Sequence, residues 1–175
     1  MALMSLHRVL AAALLAGSND VTRFHSDAGF TLTYPVVYRA DHNELTSTKL
    51  YIYLADDTPV DAVTVSTDDS FTERATLDTV TQRYADAITT AYKDPKMLTK
   101  EHTTLAGQPA FRAVYRGVLP VQYSDDTVRE ELLKVHQTWT IKMSRAYTLT
   151  YKALARDYNR YLPHARRITK TFTLE

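Results

Sequence analysis

Six histidines, 20 carboxylates and many hydroxyls are the groups of this chain that could move protons or hold a metal. The histidines are His7, His25, His42, His102, His136 and His164. A local zinc signature brings two histidines to i,i+2 or i,i+4, so that both project from one face of an element. No two histidines here are so spaced, and all six read as surface or strand residues. Asp56-Asp57, Asp68-Asp69 and Asp125-Asp126 look like acid pairs. Neighbours on a strand point to opposite faces, so a sequential pair is no catalytic dyad. Turn chemistry explains all three, because Asp hydrogen-bonds its own backbone there. The chain has no cysteine. That removes disulfides, thiolate metal sites, a thiol nucleophile and a lipid anchor on Cys. There is no Gly-x-Ser-x-Gly elbow, phosphate-cradling glycine loop or dinucleotide fingerprint. The expectation is no catalytic, cofactor-binding or metal-ligating residue. The enzymatic alternative is a hydrolase whose site has no sequence motif.

Charge narrows the partners. The 21 basic and 20 acidic side chains leave a formal net charge of +1. No global field therefore favours nucleic acid or an anionic membrane surface. Two local clusters stand out. Lys152, Arg156, Arg160, Arg166, Arg167 and Lys170 are basic, and Asp125, Asp126, Glu130 and Glu131 are acidic. Both can be solvated faces, or can pair with each other inside the molecule. The functional reading takes Arg156, Arg160, Arg166 and Arg167 as cations of a docking surface for an acidic protein partner, because Arg binds carboxylates bidentately.

These residues must be held by elements. Val21–Ser26 reads as a strand, Asp27-Ala28-Gly29 as a turn, and Phe30, Leu32 and Tyr34 alternate up to Pro35. Residues 49–55 (KLYIYLA) are apolar on both faces, like a central strand covered on both sides. Val63 and Val65 mark the next strand. Leu77, Val80, Tyr84, Ile88 and Tyr92 fall on one helical face. Ser70 with Glu73, or Thr76, would cap that helix, and Asp94-Pro95 would stop it. Strands follow at residues 97–105 and through Phe111, Ala113 and Tyr115, with a loop expected over 117–127. Leu133, Val135, Trp139, Ile141 and Met143 are expected on one face of a long strand. After a turn at Ser144-Arg145, Tyr147, Leu149 and Tyr151 are expected on the same face of its partner. Tyr158, Leu162, Ala165, Ile168 and Phe172 form an apolar stripe, with Pro163 restarting the helix at its first turn. The sum is an α+β chain, an α/β/α sandwich with an antiparallel sheet flanked by helices.

Residues 1–20 are expected to be an N-terminal helix or targeting segment, and residues 21–175 a single domain. Leu6, Leu10 and Leu14 share a helical face ending at Gly17. The apolar run from Val9 to Ala16 is too short to span a bilayer, which takes about 20 residues. A retained segment favours the cytoplasm. A cleaved one would make the protein organellar or secreted.

The run Asp27-Ala28-Gly29-Phe30-Thr31-Leu32-Thr33-Tyr34-Pro35 resembles the opening of PsbP-like and DcrB-like proteins. Ala106-Gly107-Gln108-Pro109-Ala110 resembles their turn before a strand, and Tyr147-Thr148-Leu149-Thr150-Tyr151 with the following helix resembles their closing hairpin. That family shares its α/β/α sandwich with the Ran-binding Mog protein. The resemblance implies a non-enzymatic binding or adaptor domain on a protein partner, of assembly-factor or scaffold type, with no cofactor. The alternative is a small carrier holding an apolar ligand between sheet and helices. A closed apolar cavity of a few hundred Å³ would favour the carrier. An exposed apolar or charged patch over a filled core would favour the adaptor.

Overall fold

The computed structural model describes residues 20–56 and 58–175. The helix expected over the first 17 residues lies outside them. In chain order the elements are β1 (Val21–Ser26), β2 (Phe30–Pro35), β3 (Ala40–His42), β4 (Thr48–Tyr53), β5 (Ala62–Asp68), α1 (Leu77–Ala91), β6 (Lys93–Leu105), β7 (Gln108–Gln122), β8 (Val128–Lys142), β9 (Arg145–Leu154), α2 (Tyr158–Thr169) and β10 (Thr173–Leu174). Seven strands form an antiparallel sheet in the order β3-β4-β5-β9-β8-β7-β6. β1, β2 and β10 form a second, small sheet. With one helix packed on each face of the large sheet, the α+β sandwich is as expected. Among the described residues, no helix is long and apolar enough to cross a membrane.

The turn joining β8 to β9 decides what each face buries. It consists of Met143 and Ser144, not Ser144 and Arg145, and both have positive φ, 49° and 64°. This is the backbone pattern of a two-residue primed hairpin, whose twist matches that of the strands. A two-residue turn pairs one odd with one even residue number. Trp139 therefore faces Thr148, and Leu149 faces Thr138. The expectation that Trp139 and Ile141 share a face with Tyr147, Leu149 and Tyr151 is corrected: a one-residue parity separates them. Trp139 packs under α1 with Phe111, Leu133 and Val135. Leu149 and Tyr151 pack under α2 with Leu50, Ile52, Val63 and Val65.

Each helix is fixed to its face by polar as well as apolar contacts. Thr76 caps α1, its hydroxyl accepting the Thr79 N–H at 3.3 Å. The indole N–H of fully buried Trp139 donates to the Thr81 hydroxyl at 2.9 Å. Tyr84 meets the indole edge-on at 5.6 Å, and Phe111 stacks on it at 5.3 Å. On the other face the Tyr151 hydroxyl donates to the Tyr158 carbonyl at 2.6 Å, which anchors the first turn of α2. Asp61, buried at the start of β5, accepts the Leu154 N–H at 2.8 Å and the Thr58 hydroxyl at 2.6 Å. It thereby joins two strands at their ends.

Other expectations need correction. Residues 117–122 are strand, and the loop is only 123–127. Gly117 stays in the strand because Tyr92 fills the place of its side chain: an added Cβ would lie 2.7 Å from the Tyr92 Cβ. Pro120 lies beyond the last β6 partner of β7, where its missing N–H faces an open edge. α1 ends at Ala91, before Asp94-Pro95, and those two residues sit in a bulge of β6 with Asp94 at φ 51°. β4 is buried on one face only. Tyr51 and Tyr53 pack on each other at 4.6 Å on the other face, next to the β3 edge. Pro163 lies inside a continuous α2 rather than at its start.

Replacing Met143-Ser144 with Asn-Gly should keep the register and raise stability by about 1–2 kcal/mol, since left-handed backbone is costly for Met and Ser. Trp139→Ala should cost about 3–5 kcal/mol. Thr81→Val should cost about 1–3 kcal/mol by leaving the buried indole N–H unpaired. Urea unfolding checks all three; a neutral Thr81→Val would refute the Trp139–Thr81 bond.

Candidate functional site

The two helices cover the sheet diagonally. α1 lies over β6, β7 and β8 on one face, and α2 over β5 and β9 on the other. Each face therefore keeps a half that no helix covers. On the α2 face the uncovered half carries the even residues of β7 and β8. Arg112 is paired across to Thr138, and Val114 to His136, with Leu149 and Tyr151 next in line on β9. Leu162, Ala165, Arg166 and Thr169 of α2, with Lys170 just after it, form one wall, and Phe172 and the β6–β7 turn close one end. The result is a half-open cleft of about 610 Å³.

Its floor is apolar on one side and cationic on the other. Leu149, Tyr151 and Phe172 are buried. Arg112 donates to Glu101 at 3.0 Å and to Thr103 at 3.3 Å, and its Nε is buried with no hydrogen-bond partner among the described residues. Arg166 and Lys170 reach in from α2, and neither has a carboxylate within 4 Å among the described residues. His136 registers this field. Burial, and then the Arg112 and Arg166 charges, push its imidazole down to about 4, so it is neutral at pH 7. A second hollow, of about 500 Å³, lies on the α1 face between Ser66, Gln137, Thr148 and Thr150, with Asp68 and Asp69 at its margin. Its lining is mostly polar, and no group of three or more His, Asp or Glu side chains that could hold a metal ion occurs among the described residues.

The expected docking arginines are divided. Arg166 lines the cleft, while Arg167 acts on Tyr38 on the other side of α2. Arg160 lies over the Tyr161 ring, its guanidinium 5.2 Å from the centroid. Arg156, in the turn before α2, bonds Glu131 at 3.1 Å and approaches Asp157 at 3.5 Å. Thus one member of the acidic cluster pairs with one member of the basic cluster. Asp125 instead pairs with Arg129 and accepts the Thr127 N–H, and Glu130 meets Lys93. Asp68 accepts the Ser70 N–H at 2.9 Å, and Asp69 pairs with Arg145. His25 meets Glu175 at 3.0 Å, His102 stands edge-on to Phe111, and His164 bonds the Tyr38 hydroxyl at 2.7 Å.

Sequence reading missed Arg112, His136 and Lys170 as one group. Arg112 and His136 occupy the polar phase of alternating strands, which reads as a solvent face. Only the β7–β8 register and the path of α2 bring them together. The pH consequence follows from His136. Its folded pKa is depressed, so the unfolded chain binds the extra proton between pH 6.5 and about 4. Stability should fall as pH drops through that window, and His136→Gln should flatten this part of the profile. Chemical denaturation at stepped pH measures it; an identical profile in the variant would contradict the assignment.

No family model and no curated protein sequence matches the chain. Solved structures do. LpqN of Mycobacterium tuberculosis, involved in cell envelope biogenesis, superposes with a TM-score of 0.60 at 16% identity, over 94% of this chain and 96% of that one. Cyanobacterial PsbP (CyanoP) of Synechocystis gives 0.55 at 14% identity, over 91% and 95%. The Ran-binding protein Mog1p of Saccharomyces cerevisiae gives 0.52 at 8% identity, over 90% and 96%. Nearly whole chains superpose in each case at identities too low to carry an activity, and what they establish is that this chain has the fold of PsbP and Mog1p.

Proposed function

We propose that the chain is a non-enzymatic binding module, residues 21–175 acting as one domain, that docks on an acidic face of a protein partner. The observation that carries the reading is a set of exposed cations on α2. Arg160 and Arg167 are solvent-facing, and no carboxylate lies within 4 Å of them among the described residues, while Arg166 belongs to the cleft side. Arg156 extends the same surface from the preceding turn, partly neutralised by Glu131. Unneutralised cations of this kind contribute little to folding, and they can speed association with an acidic partner. The Ran-binding description of Mog1p lends support, since it places protein docking on the same fold. A second reading, a small carrier, draws on the size of the cleft beside α2, about 610 Å³ and within the range of small-molecule sites, although the cleft is half-open and partly cationic rather than closed and apolar.

Reversing Arg160 and Arg167 together tests the docking reading, because neither makes an internal ion pair among the described residues. Affinity purification from the native source should lose a specific partner with the double variant Arg160→Glu, Arg167→Glu, while the melting temperature stays unchanged. Partner recovery by the unaltered chain should also weaken as salt shortens the Debye length below about 8–10 Å. Recovery that survives both reversals and ignores salt would remove this surface.

A further inference from the structure

The cleft beside α2 is distinct from the Arg160–Arg167 surface and has its own chemistry. We infer that it binds a single-headed anionic amphiphile, its carboxylate or phosphate head among Arg112, Arg166 and Lys170 and its apolar body over Leu149, Tyr151 and Phe172. The cationic side is built into the fold. Arg112 projects from the middle of β7, and Glu101 and Thr103 of β6 fix its fork. Two of its five N–H groups are engaged in this way, and Nε is buried without a partner among the described residues. Glu101 offsets one positive charge. Arg166 and Lys170 are offset by no carboxylate within 4 Å among the described residues. The cleft therefore holds more cation than anion, and a charge-assisted contact is the strong kind of hydrogen bond.

The remaining lining decides the rest of the ligand. An inorganic anion needs only the cations, yet the cations adjoin half-buried Leu162 on α2 and a floor at which the buried Leu149, Tyr151 and Phe172 show their edges. About 610 Å³ suits a molecule with an apolar body rather than a bare ion. A purely apolar ligand fits no better, because it would bury two guanidiniums and an ammonium without compensation. The lining carries no thiol and no carboxylate, and the inference is of binding alone.

His136 supplies a reporter. Arg112 faces it from β7, Glu101 from β6, Tyr151 from β9 and Arg166 from α2. A bound anion would offset the two guanidiniums and raise the pH at which the imidazole titrates. The experiment is calorimetric titration of the chain with decanoate, decyl phosphate, decanol and inorganic phosphate, alongside NMR titration of His136. Both decyl anions should bind and should raise the His136 titration point. Decanol and inorganic phosphate should bind at least about tenfold more weakly, and Arg166→Gln and Lys170→Gln should each weaken decanoate about tenfold without changing the melting temperature. Arg166 and Lys170 are exposed, so these variants test the site without risking the core. Equal affinity for decanol and decanoate would overturn the charge requirement. Equal affinity for inorganic and decyl phosphate would overturn the amphiphile. Absence of heat and of any His136 response to both decyl anions would overturn the site itself.

Discussion

The two-residue turn at Met143-Ser144 sets the parity on which the rest of this molecule depends. It places Trp139 opposite Thr148 and Leu149 opposite Thr138, so the two central strands of the sheet carry large apolar residues on both faces. A sheet with two apolar faces has to be covered twice. α1 covers the Trp139 side, and α2 with the small β1-β2-β10 sheet covers the Tyr151 side. A shift of one residue would send the indole to the other face, away from Thr81 and Tyr84.

The site follows from how incomplete that double cover is. Each helix of 12 to 15 residues spans only part of a seven-stranded sheet. α1 sits over one side, α2 over the other, and the uncovered even residues of β7 and β8 end beside α2. Tyr151 holds α2 in place through the Tyr158 carbonyl, and Thr171 bonds the backbone of Thr33 just beyond the helix. The wall carrying Arg166 and Lys170 is thereby held at a fixed offset from the strand carrying Arg112. The cationic cleft is made by separate segments, β7 carrying Arg112 and the end of α2 carrying Arg166 and Lys170, which meet only in the fold.

Much of the fold was legible because alternation and periodicity act locally. Phe30, Leu32, Val63, Val65, Val80, Ile88, Ala165 and Ile168 are buried as their spacing requires. The large sheet, the two helices and the resemblance to PsbP-type proteins could be read for the same reason. What could not be read rests on pairing between distant segments. Alternation sets the faces of each hairpin strand separately, whereas the turn couples them with odd parity. Gly117 and Pro120 looked like loop residues, yet Tyr92 and the end of β6 give each a place in a strand. The basic cluster near the C-terminus was visible as composition, but its division between a cleft side bearing Arg166 and an outer side bearing Arg167 depends on which face of α2 packs. Arg112 and His136 gave no signal at all, because a polar residue in the outward phase of a strand looks the same whether water or a helix stands above it.

Side-chain nuclear Overhauser contacts of Trp139 test the parity most directly. The account predicts contacts from the indole to Thr81, Tyr84 and Phe111, and from the Tyr151 ring to Tyr158, with none from Trp139 to Ala165 or Ile168. Contacts between the Trp139 indole and Ala165 or Ile168 would put both strands' large residues on one face, and would contradict the double-covered sheet together with the cleft that it creates.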